Sequence, residues 1–233
     1  SYKYEEKGLK SVAVIFALVF LPLFLIIQQP DLGTALIFIP LLFVTLYVWS
    51  GRLKHIVVTL LAGAALSPFL WYFLKDYQKE RLLVFLNPNI DPLGAGYTII
   101  QSKIAIGSGG ILGKGWLHGS QTQLNFLPEH HTDFIFSSIA EETGLIGALV
   151  VIVLYFLIIW EGFNIAQDSS IMEKKLIASG ITTLLALHVI INICMTLGLM
   201  PVVGLPLPFI SYGGSHTVMF LIMVAILLNL KYR

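Results

Sequence analysis

Uncharged apolar runs divide the chain. Three come early, at 11–30, 32–51 and 56–74, each close to the roughly 20 residues a bilayer-crossing helix needs. A fourth, 134–160, is interrupted only by Glu141 and Glu142. The run 176–230 has no Asp, Glu, Lys or Arg in 55 residues, too long for one crossing. It breaks at GLMPVVGLPLPFISYGG, where glycines and prolines cannot continue a helix. The pattern predicts six helices, at about 11–29, 33–50, 55–74, 133–160, 176–198 and 213–230. Between the third and fourth lies a long loop, 75–132. Within it, 97–116 is mostly apolar yet too short to span, which suits an interfacial or re-entrant segment.

Composition sharpens this picture. Hydrophobic residues make up 57% of the 233 positions and charged residues 12%, against roughly 25% charged in soluble domains. The expected fold is all-α, a single polytopic membrane domain. A net charge of +1 gives no bulk attraction to nucleic acid. The lone Cys194 excludes an internal disulfide, and no Cys/His metal spacing is present. The opening SYKYEEKGLK lacks a Met and a signal peptide, and reads as a fragment that begins in a loop.

Charge placement orients the helices. With six spans, Lys3, Lys7, Lys10, Arg52, Lys54, Lys174, Lys175, Lys231 and Arg233 share one side, in short segments. Lys75, Lys79, Arg81, Lys103 and Lys114 share the other, in the long loop. The positive-inside rule makes the termini cytoplasmic and the loop extracytoplasmic.

The densest chemistry sits where that loop meets the fourth run, in FLPEHHTDFIF (126–136). Pro128 ends what precedes it, Thr132 is a suitable N-cap, and Asp133 falls in the first helical turn. Asp133, Ser137 and Glu141 then share a helix face. Capping alone would account for an acid at Asp133, but Glu129, His130 and His131 crowd the same spot. For Glu141, buried pairing is the expectation. His188 and Asn192, one turn apart, suit an interhelical hydrogen bond. The Gly-rich segment from Gly107 to Gly115 could present N–H groups to an anion, flanked by Lys103 and Lys114, with Arg81 upstream.

The stretches QQPDLGTA, DPLGAGYTIIQSKIAIGSGGILGKGW, FLPEHHTDFIFSSIAEETG and LPLPFISYGGS resemble the SEDS family (shape, elongation, division and sporulation) along essentially the whole chain. The run GKGWLHGSQTQLNFLPEHHTDF is more similar to its rod-shape branch than to its division branch. The resemblance implies a fold of about ten membrane helices, of which six lie here. It implies a peptidoglycan glycosyltransferase that polymerises lipid II on the outer face of the bacterial cytoplasmic membrane, serving cell elongation and rod shape. The family's Ser-Glu-x-x-Lys motif, implicated in function, would lie outside this chain, so activity of this chain alone is not expected.

The family's essential aspartate falls on Asp133, read here as general base for an inverting displacement, with Glu129 and His131 as orienting groups. Arg81, Lys103, Lys114, Gln101 and Ser102 are read as substrate-binding, and Asp31, Thr132, Glu141, Ser211, Gly213 and Gly214 as structural motif positions. No cofactor is required by this reading. A divalent cation (Mg or Mn) could share the diphosphate charge, with no ligand set legible. The implied partners are a class B penicillin-binding protein and elongation-complex membrane proteins. Two alternatives stay open: a lipid-precursor flippase and a non-catalytic scaffold for the penicillin-binding protein.

Overall fold

The computed structural model describes residues 19–26, 28, 29, 32–51, 54, 57, 58, 60, 61, 72, 75–124 and 126–232. Among these every regular element is helical: α1 (Leu32–Ser50), α2 (Asp76–Leu86), a 3-10 turn (Pro88–Ile90), α3 (Ala95–Gly109), α4 (Ser120–Gln123), α5 (Ile135–Asp168), α6 (Met172–Thr196) and α7 (Gly214–Tyr232). Four of them, α1, α5, α6 and α7, are long and apolar enough to cross a membrane. The expected helices at 11–29 and 55–74 lie largely outside the described residues, although 19–26 is helical. The helices α5 and α6 run past the apolar stretches that predict them, to Asp168 and back to Met172. Hydropathy marks only the greasy part of a helix, whereas its hydrogen-bond ladder continues into Glu161 and Glu173.

The helix α6 is the hub. It packs against α5 on one side and α1 on the other. Its apolar residues Leu185 and Val189 meet Phe136, Ala140 and Tyr155 of α5, Leu207 of the following loop and Phe220 of α7. Further along, Ile191 and Met195 pack with Ile37 of α1 and with Val203 and Leu205. The segment between α6 and α7 thus folds inward, with Leu205, Leu207 and Pro208 buried. The Tyr155 hydroxyl donates to the Pro208 carbonyl and fixes that segment against α5.

The apolar segment expected at 97–116 is a helix only as far as Gly109, where α3 ends. Gly96, Ile99, Ser102, Ala105 and Gly109 are its buried residues, and four of these five are small, so α3 packs closely, with Gly109 against Ala140 of α5. Beyond Gly109 the chain turns into a break in α5. Gly144 has φ 69° and ψ −166°, a conformation for glycine alone. The break frees donors on one side and acceptors on the other. Leu145 and Ile146 donate to the carbonyls of Gly110 and Ile111, at 2.9 and 3.3 Å. Lys114 and Gly115 donate to the carbonyls of Glu141 and Glu142, both at 3.0 Å. The approach is so close that a Cβ on Gly113 would collide with the Glu142 carbonyl.

Candidate active site

The turn that carries Asp133 is held by its backbone. Within it, Thr132 and Phe134 donate N–H groups to the Glu129 carbonyl, at 3.1 and 3.2 Å. Glu129 itself has φ 52°, an uncommon value for a side-chain-bearing residue. Four successive carbonyls then point outward, and each meets a different donor. His130 O accepts from Ser138 Oγ of α5 at 3.3 Å. His131 O accepts from Tyr212 N at 2.9 Å. Thr132 O accepts from Ser211 Oγ at 2.6 Å, and Ser211 Oγ accepts in turn from Leu207 N at 2.7 Å. Asp133 O accepts from Asn192 Nδ2 of α6 at 2.9 Å. Satisfied carbonyls fix a turn against several elements at once, so the side chains of Glu129, His131 and Asp133 project from a rigid platform.

Thr132 is not the N-cap. The helix begins at Ile135 with Phe134 as the cap residue and no side-chain cap bond. Thr132 Oγ1 instead donates to Glu129 Oε2 at 2.9 Å. Asp133 therefore precedes the helix and is not on a common helical face with Ser137 and Glu141. The reason is the wide turn from Glu129 to Phe134, whose internal bonds replace a cap.

Asp133 is half-buried. Burial raises its carboxyl above the ordinary value of 3.8, the charge of Glu129 raises it further, and the charge of Arg81 opposes both. Its Oδ2 lies so near Gly204 that a Cβ there would come to 3.4 Å. Arg81 reaches the same mouth from α2: Nη1 donates to the Val202 carbonyl at 3.2 Å, with its guanidinium 6.0 Å from the Tyr77 ring centre. Arg81, Val84, Thr98, Ile99 and Val202 line a cavity of about 160 Å³. Lys103 is exposed and lies across Gly198 at the end of α6. His131 is exposed, with its ring 3.8 Å from that of His130.

Three expected substrate residues are placed elsewhere or turned inward. Lys114 Nζ forms an ion pair with Glu141 Oε1 at 2.6 Å. Its own N–H and that of Gly115 are spent on the break in α5, so this stretch of the Gly-rich segment plugs a helix rather than cradling an anion. Ser102 is fully buried, 2.7 Å from Ser137 Oγ and 2.6 Å from the Thr196 carbonyl. It locks α3 to α5 and α6. Gln101 is half-buried, and its buried Oε1 meets no hydrogen-bond partner among the described residues.

Glu141 is fully buried. Besides Lys114 it accepts from Gln121 N at 3.0 Å, Thr122 N at 3.2 Å, Thr122 Oγ1 at 3.0 Å and Ser120 Oγ at 3.3 Å. Ser211 is the strut described above. The Gly213 carbonyl accepts from Thr217 N and Oγ1, and Gly214 opens α7. Asp31 lies outside the described residues. Among the described residues no three His, Cys, Asp or Glu side chains converge as a metal ligand set would.

The family model described as a cell cycle protein, FtsW/RodA/SpoVE, matches residues 1–233. The chain belongs to this family. It is 50% identical to the peptidoglycan glycosyltransferase MrdB of Escherichia coli over 92% of this chain and 58% of that protein. It is 40% identical to stage V sporulation protein E of Bacillus subtilis, again over 92% and 58%. Among solved structures, a chain from a peptidoglycan synthase complex that coordinates polymerization and crosslinking is similar at TM-score 0.76 and 38% identity, over 94% of this chain and 61% of that one. Thermus thermophilus RodA gives TM-score 0.62 at 26% identity, over 98% and 59%. The chain thus spans about three fifths of the length of the relatives it matches.

Sequence reasoning missed two features of the site. Asn192 was read as an interhelical group, but it donates to the backbone of the Asp133 turn and to the Leu205 carbonyl. Gly204, beside the carboxylate, carries no signal beyond being a glycine among prolines.

Proposed function

We propose that the full-length protein is a peptidoglycan glycosyltransferase of the rod-elongation type, acting on lipid II. The observation that carries this reading is the 50% identity, over 92% of the chain, to a protein named for that activity. The half-buried acid on a rigid turn supplies the chemistry it needs. The donor sugar is α-linked to a diphosphate and the product is β-1,4-linked, so one inverting displacement suffices. Asp133 takes the proton of the acceptor 4-hydroxyl. That oxygen bonds to the anomeric carbon of the donor as the bond to the diphosphate breaks, and the electron pair leaves with the diphosphate. Arg81 and Lys103 balance the charge that develops there. Glu129 raises the proton affinity of Asp133, and His131 borders the acceptor.

On this reading the termini are cytoplasmic and the Asp133 turn faces outward, at the surface of the bacterial cytoplasmic membrane. A class B penicillin-binding protein cross-links the strands, alongside elongation-complex proteins. The deciding experiment is glycan polymerisation from purified lipid II by the full-length protein and its Asp133→Asn variant. Wild-type polymer with none from the variant is expected. Equal polymer from both would overturn Asp133 as base, and no polymer from wild type, alone or with its transpeptidase partner, would overturn the activity.

A further inference from the structure

Asn192 lies one turn before the end of α6, far along the chain from Asp133, and has no exposed surface. Its amide nitrogen has two hydrogens, and both are used: one on the Asp133 carbonyl at 2.9 Å, the other on the Leu205 carbonyl at 2.7 Å. Its Oδ1 is buried and finds no partner among the described residues. A buried acceptor left unpaired is costly. The amide could be relieved by turning its oxygen elsewhere, but the two carbonyls accept only from a donor, so its orientation is fixed by them.

The placement is particular. The Leu205 carbonyl is next to Gly204, the residue against Asp133 Oδ2. Asn192 therefore ties the backbone beneath the carboxylate to the backbone beside it, with one planar group. Of the four donors on the turn, it alone binds the residue that carries the acid.

We infer that Asn192 is a positioning residue for the reaction, which sets the depth and direction of the Asp133 carboxylate without touching substrate. This inference rests on Asp133 acting as general base. If the clamp is lost, the turn keeps its other three anchors, but Asp133 gains freedom to swing toward water. A base displaced from its aligned position loses rate at the chemical step rather than binding. A less buried carboxyl also returns toward its ordinary proton affinity. The charges felt at Asp133 are Glu129 on its own turn and Arg81 from α2. The 197–213 segment brings no ionisable group except Tyr212. Lys103 of α3 lies over Gly198, and His188 of α6 is one turn from Asn192.

The test uses the full-length protein, lipid II as substrate, and kcat and KM measured across pH for Asn192→Leu, Asn192→Ser and Asp133→Asn. Thr196→Val serves as a control, because Thr196 is equally buried one turn further along α6 and bonds only the Ile193 carbonyl through its side chain. For Asn192→Leu the expectation is a fall of tenfold or more in kcat, KM within about twofold, and an acid limb of the pH–rate profile moved to lower pH. Asn192→Ser, which leaves room for a water, carries the same expectation for the pH limb if Asn192→Leu does not fold. Thr196→Val is expected to leave the limb in place. A wild-type kcat in the Asn192 variants, or a loss that only follows the folded fraction with an unmoved limb, overturns the positioning role. An active Asp133→Asn overturns the general-base reading instead, so the two failures are distinct.

Discussion

Asp133 and Glu141 are eight residues apart, one just before α5 and one within its first piece, and they are opposites. Glu141 is fully buried and receives Lys114, two backbone N–H groups and the hydroxyls of Thr122 and Ser120. Asp133 is half-buried, its backbone is clamped, and among the described residues its carboxylate accepts no hydrogen bond, so Arg81 acts on it through charge alone. A charge whose every lone pair is used holds structure and has nothing left to give. A charge whose main chain is fixed while its oxygens stay available can accept a proton. The difference between an architectural acid and a chemical one is where its hydrogen bonds are spent.

The sharpest way to break this contrast is to neutralise each acid. Asp133→Asn is expected to lower polymerisation on the order of 10²–10⁴-fold with thermal stability unchanged, since the clamping bonds are to backbone. Lipid II turnover at matched folding measures it. Glu141→Ala should do the reverse, costing about 3–5 kcal/mol of stability as Lys114 and the 120–122 donors lose their acceptor. Thermal unfolding of the detergent-solubilised protein reads this out, and a fully stable Glu141→Ala would dissolve the comparison.

Gly144→Ala tests the break beside Glu141. A side chain there meets Gly113 and Ile111 and requires φ near 69°, for about 1–3 kcal/mol of strain before any clash is relieved. The unfolding midpoint should fall while the pH profile of turnover stays put. That profile is itself a test of Asp133. Its proton affinity is raised by burial and Glu129, so the base is ionised, and turnover high, only above a pH that lies higher than 3.8. Removing the neighbouring charge with Glu129→Gln should move the acid limb down, and an upward move would contradict the sign. The smallest effect belongs to Glu142→Gln, expected within about 0.5 kcal/mol of wild type, because that side chain joins neither cluster.

The four long helices among the described residues were legible from apolar run length, and the 126–136 turn stood out by its crowding of ionisable groups. The local geometry of the turn was not. Thr132 looks like a cap because capping is a local rule, but the turn is closed by its own bonds to Glu129 and anchored by Ser211, Tyr212 and Asn192, 59 to 81 positions away. Lys114 looked like a free cation for the same reason: its partner, Glu141, lies across a loop. Gly107–Gly115 has the composition of an anion cradle, but composition does not say which carbonyls the N–H groups meet. For Lys114, the Gly-rich segment and the anchors of the turn, the hidden variable was a partner distant in sequence.

The break at Gly144 also bears on how the protein enters its membrane. In hydrocarbon an unpaired peptide group costs several kcal/mol, and Leu145 and Ile146 obtain their acceptors only from Gly110 and Ile111. Those residues are synthesised about 35 positions earlier, in the turn that follows α3. The break in α5 and the turn after α3 therefore each complete the other's peptide pairing. Biogenesis of this region should proceed as a loop and helix settling together, so that a change confined to Gly113 surfaces as failed insertion of α5.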